Sequence, residues 1–281
     1  MPPIRMLALD LDGTLAVEGD AVSPATADAL VRAGEAGVEV VIATSRRYRG
    51  ACRVVDPLPL APPILCNGGA LLKSETRQTL FAETIDAADL RDIAEVFVEC
   101  GLAMVGQRDG HADGGSDFIV DGSVGWSAFM TSYVDYNRDQ AQVLPSIVDA
   151  PPDDVLIATS FGDRAEPMLR AQAAIEAQHP GRFRATVIPT PGGSGSYLEV
   201  SPGQRSKWSG LQRLAALREL PQSAICAVGD ELNDLPMVRG SGMGVAMGNA
   251  NDELKRAADW VCGRNDEDGI VEVVERILAG A

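Results

Sequence analysis

Leu7-Ala8-Leu9-Asp10-Leu11-Asp12-Gly13-Thr14-Leu15 sets two carboxylates two residues apart at the end of a mostly apolar run that begins at Ile4. Such a run, apolar on both faces, reads as a central strand of a parallel sheet covered by helices on each side. Open α/β sheets bind ligands beyond the carboxyl ends of their strands, so Asp10 and Asp12 are expected to project into one crevice. Two anions that close repel, and both stay ionised only beside a cation or after one takes up a proton. The pair therefore predicts a hard divalent ion, a shared proton, or both. Gly13 allows the sharp turn that follows, and Thr14 offers it a hydroxyl and an amide. The plainer alternative is an Asp-rich turn that only caps a strand.

The 281 residues, 46% hydrophobic and 23% charged, are those of an ordinary globular protein with room for one large or two unequal domains. A formal charge of −16 argues against nucleic acid or an anionic membrane as partner, since both require a positive field. An anionic substrate would require local positive charge from a metal, a lysine or helix N-termini. No apolar run is long enough to span a membrane, and Met1 to Arg5 runs into the first strand without a secretory pattern. Cys52, Cys66, Cys100, Cys226 and Cys262 are odd in number, scattered and never spaced Cys-x-x-Cys. That usage points to reduced thiols in a cytoplasm and against a zinc site.

Three stretches emerge along the chain. From residue 1 to 85 strand and helix alternate: strand 4–9, helix 23–36 with Ser23 as N-cap and Pro24 at its first position, strand 38–43, strand 63–66 and a turn at Asn67-Gly68-Gly69. Residues 86–200 change rhythm, with helices at 87–100 and 164–178, strands at 102–105, 117–120, 155–160, 184–188 and 197–200, and an irregular stretch from Trp126 to Tyr136. From 201 to 281 the alternation returns, with helix 207–218, strand 224–228, strand 243–246 and a closing helix 270–278. The expected architecture is an α/β Rossmann-like parallel-sheet core, residues 1–85 and 201–281, interrupted by an inserted α+β unit.

Three strand ends then carry reactive groups: Asp10 with Asp12, Thr44, and Asp230 with Asp234. In a parallel sheet these ends lie along one edge, so residues far apart in sequence can converge. Carboxylates from two strands form an incomplete oxygen cage that suits Mg²⁺, which takes its other ligands from water and substrate phosphate. Thr44 could donate a hydroxyl to a phosphoryl oxygen, or cap the next helix. Lys207, opening a helix after Ser206, could bring an ammonium to the same oxygens, or be a solvated helix-start residue. His111 and His179 lie at no expected strand end, and Trp126, Trp208 and Trp260 read as packing residues.

Asp10-Leu-Asp-Gly-Thr14, Thr44, Lys207 and Gly229-Asp-Glu-Leu-Asn-Asp234 resemble, in order, the four motifs of the haloacid dehalogenase-like superfamily. Val245-Ala-Met-Gly-Asn-Ala250 and Asp268-Gly269 resemble its Cof-type branch, which carries a C2B cap where residues 86–200 lie here. The resemblance implies that Asp10 attacks phosphorus to give an aspartyl-phosphate. Asp12 would protonate the leaving oxygen and then activate water. Mg²⁺ would be held by Asp10, the backbone carbonyl of Asp12 and Asp230, with Asp234 supporting the metal. Thr44, Lys207 and Asn233 would hold the phosphoryl oxygens. Two departures stand out: Ser45 replaces the usual Gly after the second-motif Thr, and Asn67-Gly68-Gly69-Ala70 has one more Gly than the usual Asn-Gly-Ala.

The expected activity is Mg²⁺-dependent hydrolysis of a small phosphomonoester, a cytoplasmic metabolite such as a sugar phosphate. A phosphomutase acting on a sugar phosphate, or a catalytically idle metal- or ligand-binding regulator, are the alternatives. A cap would select the leaving group, with loops 109–115 and 192–195 as candidate contacts. Oligomeric state is not legible in the sequence.

Overall fold

The computed structural model describes residues 3–17, 19–111, 114–190 and 195–280. It divides into two compact units, Met1–Phe81 with Arg205–Ala281, and Ala82–Gln204. The joints expected from the sequence are at 85/86 and 200/201. Parts of both candidate cap loops, residues 112–113 and 192–194, lie outside the described residues, as does Pro191.

The first unit begins with β1 (Met6–Leu9), α1 (Pro24–Glu35), β2 (Glu39–Ala43), α2 (Tyr48–Val55), β3 (Ile64–Cys66), β4 (Leu71–Lys73) and β5 (Thr79–Ala82). The inserted unit follows as α3 (Ala87–Glu99), β6 (Val105–Gln107), β7 (Phe118–Asp121), α4 (Ala128–Tyr136), β8 (Ala141–Leu144), β9 (Ile157–Gly162), α5 (Glu166–Gln178), β10 (Phe183–Pro189) and β11 (Ser196–Pro202). The chain then returns to the first unit with α6 (Lys207–Leu217), β12 (Ile225–Gly229), α7 (Leu235–Gly240), β13 (Met243–Ala246), α8 (Asp252–Ala257), β14 (Trp260–Val261) and α9 (Gly269–Leu278).

The first unit is an eight-stranded sheet in the order β14-β13-β12-β1-β2-β3-β4-β5. It is parallel from β14 to β3, and β4 runs antiparallel to β3. Side chains alternate between faces along each strand. Met6, Ala8, Val41, Ala43, Ile225 and Ala227 pack under Leu211 and Leu214 of α6 and Met237 of α7. Leu7, Leu9, Val40 and Ile42 are buried on the opposite face, where α1 packs on β2 and on α9. The Ser23 side chain accepts from the Thr26 amide at 3.0 Å, capping α1, and its hydroxyl donates to Asp268, the left-handed residue that opens α9.

Register decides where the acids go. Leu9 pairs with Val228 of β12 on one side and Ile42 of β2 on the other, so the strand ends after Leu9, Val228 and Ile42 lie at one level. Asp10, Thr44 and Asp230 each follow within two residues.

The inserted unit is a six-stranded sheet, β10-β11-β9-β6-β7-β8, antiparallel except where β7 and β8 run parallel. Helices α3 and α5 bury Leu90, Phe97, Met168 and Ile175 against Ile119, Ala158 and Leu198. The stretch expected to be irregular is helix α4, packed on Val105, Phe118 and Val120 through Met130 and Val134. Its aromatic and β-branched content obscured an ordinary helix signal: Ser127 caps it by accepting from the Met130 amide at 3.1 Å, and Met130 and Val134 stand four apart on one face. Among the described residues, no helix is long and apolar enough to cross a membrane.

The additional glycine of the Asn67-Gly68-Gly69 turn has a steric reason. Gly69 has φ +104°, and a Cβ there would sit 2.2 Å from the Ser206 carbonyl oxygen, so only glycine lets this turn lie against the start of α6. Gly69→Ala is expected to cost about 2 kcal/mol or more, read as a lowered midpoint of urea unfolding.

Candidate active site

Asp10 leaves β1 with its amide still donating to the Val228 carbonyl at 3.0 Å, which fixes it between β12 and β2. Gly13 then turns with φ +76°, and a Cβ there would lie 2.3 Å from Asp230 Oδ2. The turn can therefore close directly over Asp230, where Thr14 Oγ1 donates to Asp230 Oδ1 at 2.9 Å. Asn249 holds the other side of this turn by donating Nδ2 to the Gly13 carbonyl at 2.8 Å, and its own Oδ1 accepts from the Asn265 amide.

Lys207 is the first residue of α6, where the positive end of the helix dipole disfavours a cation. It is nonetheless 2% exposed, because its Nζ donates to Asp10 Oδ1 at 2.5 Å and Asp234 Oδ1 at 2.7 Å. The helix start is secured by a reciprocal cap, Ser206 accepting from the Ser209 amide and Ser209 accepting from the Ser206 amide. Asp234 is fully engaged: its second oxygen accepts the amides of Asp230 and Glu231 at 3.0 and 3.1 Å.

Three buried carboxylates thus face one ammonium. Asp10, Asp230 and Asp234 each offer an oxygen within 4.8 Å of the others, a set of hard donors spaced to share one cation. Burial is the main force raising Asp10, whose pKa is pushed up to about 8 against the opposing pull of Lys207. Burial likewise lifts Asp230 to about 6, against the Thr14 hydrogen bond. Burial opposes charge on Lys207, but Asp10 and Asp234 outweigh it and raise the ammonium. A second trio, Asp89, Asp92 and His179 in the inserted unit, also has a cation at hand, Arg182 2.5 Å from Asp89, and differs in burial: Asp92 is exposed and His179 half-buried.

Asp12 takes another direction. Its side chain is 59% exposed and lies in the fork of Arg46, with Nε 2.9 Å from Oδ2 and Nη2 2.5 Å from Oδ1. Nη2 also donates to Asp20 Oδ1 at 2.6 Å, and this hydrogen bond holds the Asp20 carboxyl below its usual range. Thr44 is wholly buried, its amide on the Leu65 carbonyl and its Oγ1 accepting from the Arg46 amide at 3.1 Å. Asn233 is exposed and donates Nδ2 to Ser45 Oγ at 3.1 Å.

The structure therefore brings Asp10, Asp230, Asp234 and Lys207 into direct contact, while Asp12 joins Arg46 and Asn233 joins Ser45. Arg46, Asp20 and Asn249 were not singled out by the sequence reading. Asn249 lies inside the quoted Val245–Ala250 run, and Arg46 stands two residues after Thr44, so position alone could have nominated both. Nothing in the pattern around Asp20 marks it.

A model of the haloacid dehalogenase-like hydrolase family matches residues 7–274. Phosphatase YwpJ of Bacillus subtilis is 27% identical over 299 residues, spanning 98% of this chain and 100% of that protein. Pyridoxal phosphate phosphatase YbhA of Escherichia coli is 27% identical over 283 residues, spanning 96% and 97%. A crystal structure of a haloacid dehalogenase-like hydrolase from Bacteroides thetaiotaomicron shares the fold with a TM-score of 0.78 at 23% identity, covering 98% of this chain and 99% of that one. With nearly its whole length matched, the chain belongs to the haloacid dehalogenase-like hydrolases, in their Cof-type branch.

Proposed function

We propose that this hydrolase is a Mg²⁺-dependent phosphatase that cleaves a small phosphomonoester such as a sugar phosphate through an aspartyl-phosphate. The observation that carries the reading is the contact of Asp10 and Asp234 with Lys207 beside Asp230, a nucleophile, a cation and a further metal-type carboxylate gathered from both ends of the chain.

Asp10 Oδ attacks phosphorus, and the P–O bond to the leaving group breaks with its electron pair on that oxygen. Asp12 gives this oxygen a proton, then takes one from the water that attacks the aspartyl-phosphate, which returns free Asp10 and inorganic phosphate. Lys207, released in part from Asp10, pairs with the phosphoryl oxygens, and the Thr44 hydroxyl and Asn233 amide bind the remainder. Mg²⁺, when bound, supplies charge neutralisation at the transferring group; Asp10, Asp230 and the Asp12 carbonyl would hold it. Asp234 stays with Lys207 and the two amides, a supporting position rather than a ligand.

Asp10→Asn matches the neutral form of a carboxyl that burial already favours, so the protein is expected to fold while phosphate release from an aryl phosphate falls by about 1,000-fold or more. A folded variant with retained turnover would remove Asp10 as nucleophile. Free phosphate, rather than an isomerised sugar phosphate, is the expected product from sugar phosphates.

Proton linkage gives a second test. The folded metal-free site keeps protons on Asp10 and Asp230 that the unfolded chain gives up in the ordinary carboxyl range. Their contribution to stability is complete below that range and is lost as pH rises through about 6 for Asp230 and about 8 for Asp10. The melting temperature of EDTA-treated protein should therefore fall across that interval. Added Mg²⁺ should raise it most at the alkaline end, where the ion no longer competes with protons. A flat profile with no response to Mg²⁺ would contradict the metal assignment.

A further inference from the structure

Arg46 divides one nitrogen between two acids. Nε and Nη2 engage both oxygens of Asp12, while the other hydrogen of Nη2 goes to Asp20; Nη1 reaches the Gly50 carbonyl at 3.3 Å. Asp20 is presented to this contact by a turn across which the Val17 amide donates to the Ala21 carbonyl at 2.9 Å, with Asp20 at φ 62° directly after Gly19 at φ 81°, a left-handed backbone that Asp tolerates.

The grip on Asp12 conflicts with its task. A guanidinium only donates, and in this arrangement both Asp12 oxygens are turned to it. To protonate a leaving oxygen, Asp12 has to turn one protonated oxygen away from the fork. Without another anion, that release would leave Arg46 a partly buried, unpaired cation. Asp20 already pairs with Nη2 and is such an anion.

We propose, resting on the phosphatase reading above, that Asp20 is a positioning residue for proton donation: it shares the Arg46 fork so that Asp12 can leave it. The first half-reaction balances with Asp20 as a spectator. A bond forms between Asp10 Oδ and phosphorus, the bond from phosphorus to the leaving oxygen breaks with its pair on oxygen, and the proton passes from Asp12 to that oxygen.

The test compares two esters of similar shape, 4-nitrophenyl phosphate, whose leaving group needs little protonation, and 4-methylphenyl phosphate, whose leaving group needs it. With Mg²⁺ present, Asp20→Asn should lower kcat/KM for the methylphenyl ester about fivefold more than for the nitrophenyl ester, because Arg46 then closes fully on Asp12. Adding Arg46→Lys to this variant, which replaces the fork by a single ammonium, should bring the ratio of the two constants back toward the parent value. Equal losses on both esters, with or without a lowered urea midpoint, would mean a structural role and overturn the proposal. A ratio that Arg46→Lys fails to restore would also overturn it. Failure of the parent protein to cleave either ester would instead dismiss the phosphatase reading itself, and this inference with it.

Discussion

The ammonium of Lys207, seated between Asp10 and Asp234, is the interaction on which the site depends. Breaking a buried pair by removing one partner typically costs about 3–5 kcal/mol, because the remaining charge has neither water nor counterion. Here three carboxylates have one cation, and the helix that carries it presents its positive end to the same place. Burial meets the excess of negative charge by raising the proton affinity of Asp10 and Asp230, the groups that a divalent ion would most directly relieve. An arrangement that is poorly neutralised alone is one that welcomes a cation.

That arrangement can form because the sheet brings distant strands to one level. β1 lies between β12 and β2 in the parallel sheet, with Leu9 paired to Val228 and Ile42, so no long loop is needed to join residues 10, 44 and 230. Glycine completes the approach. At Gly13 the missing side chain leaves room for the Asp230 carboxylate, and at Gly69 it leaves room for the Ser206 carbonyl one residue ahead of Lys207. The second of these explains the additional glycine in the turn as a packing requirement of the lysine-bearing helix.

What was legible in the sequence follows from how strongly each element is buried. β1, β2, β12 and β13 are covered on both faces and read as apolar runs, and α1 carries its Ser23 and Pro24 start in plain view. The edge strands β5 and β8 are short and partly exposed, so their few apolar residues do not stand out from a loop, and the eight residues of α2 give only a short stripe of Tyr48, Ala51, Val54 and Val55. The site divides in the same way. Acids at the ends of buried strands were identifiable by position, whereas Arg46 and Asp20 act through side-chain direction, which depends on tertiary packing and, for Asp20, on a left-handed backbone that its residue type only tolerates.

Ser45 shows how a departure from the family pattern can be absorbed. Its hydroxyl accepts from Asn233, tying the loop after β2 to the turn after β12. A glycine at this position would leave the Asn233 amide to water or substrate. The serine instead orders that amide in advance and removes its rotamer freedom. Asp10 and Lys207 are then fixed by buried charge, and the exposed rim by a neutral hydrogen bond. Variation among substrates is more easily accommodated at the rim, where a changed partner costs a fraction of what it costs at Lys207.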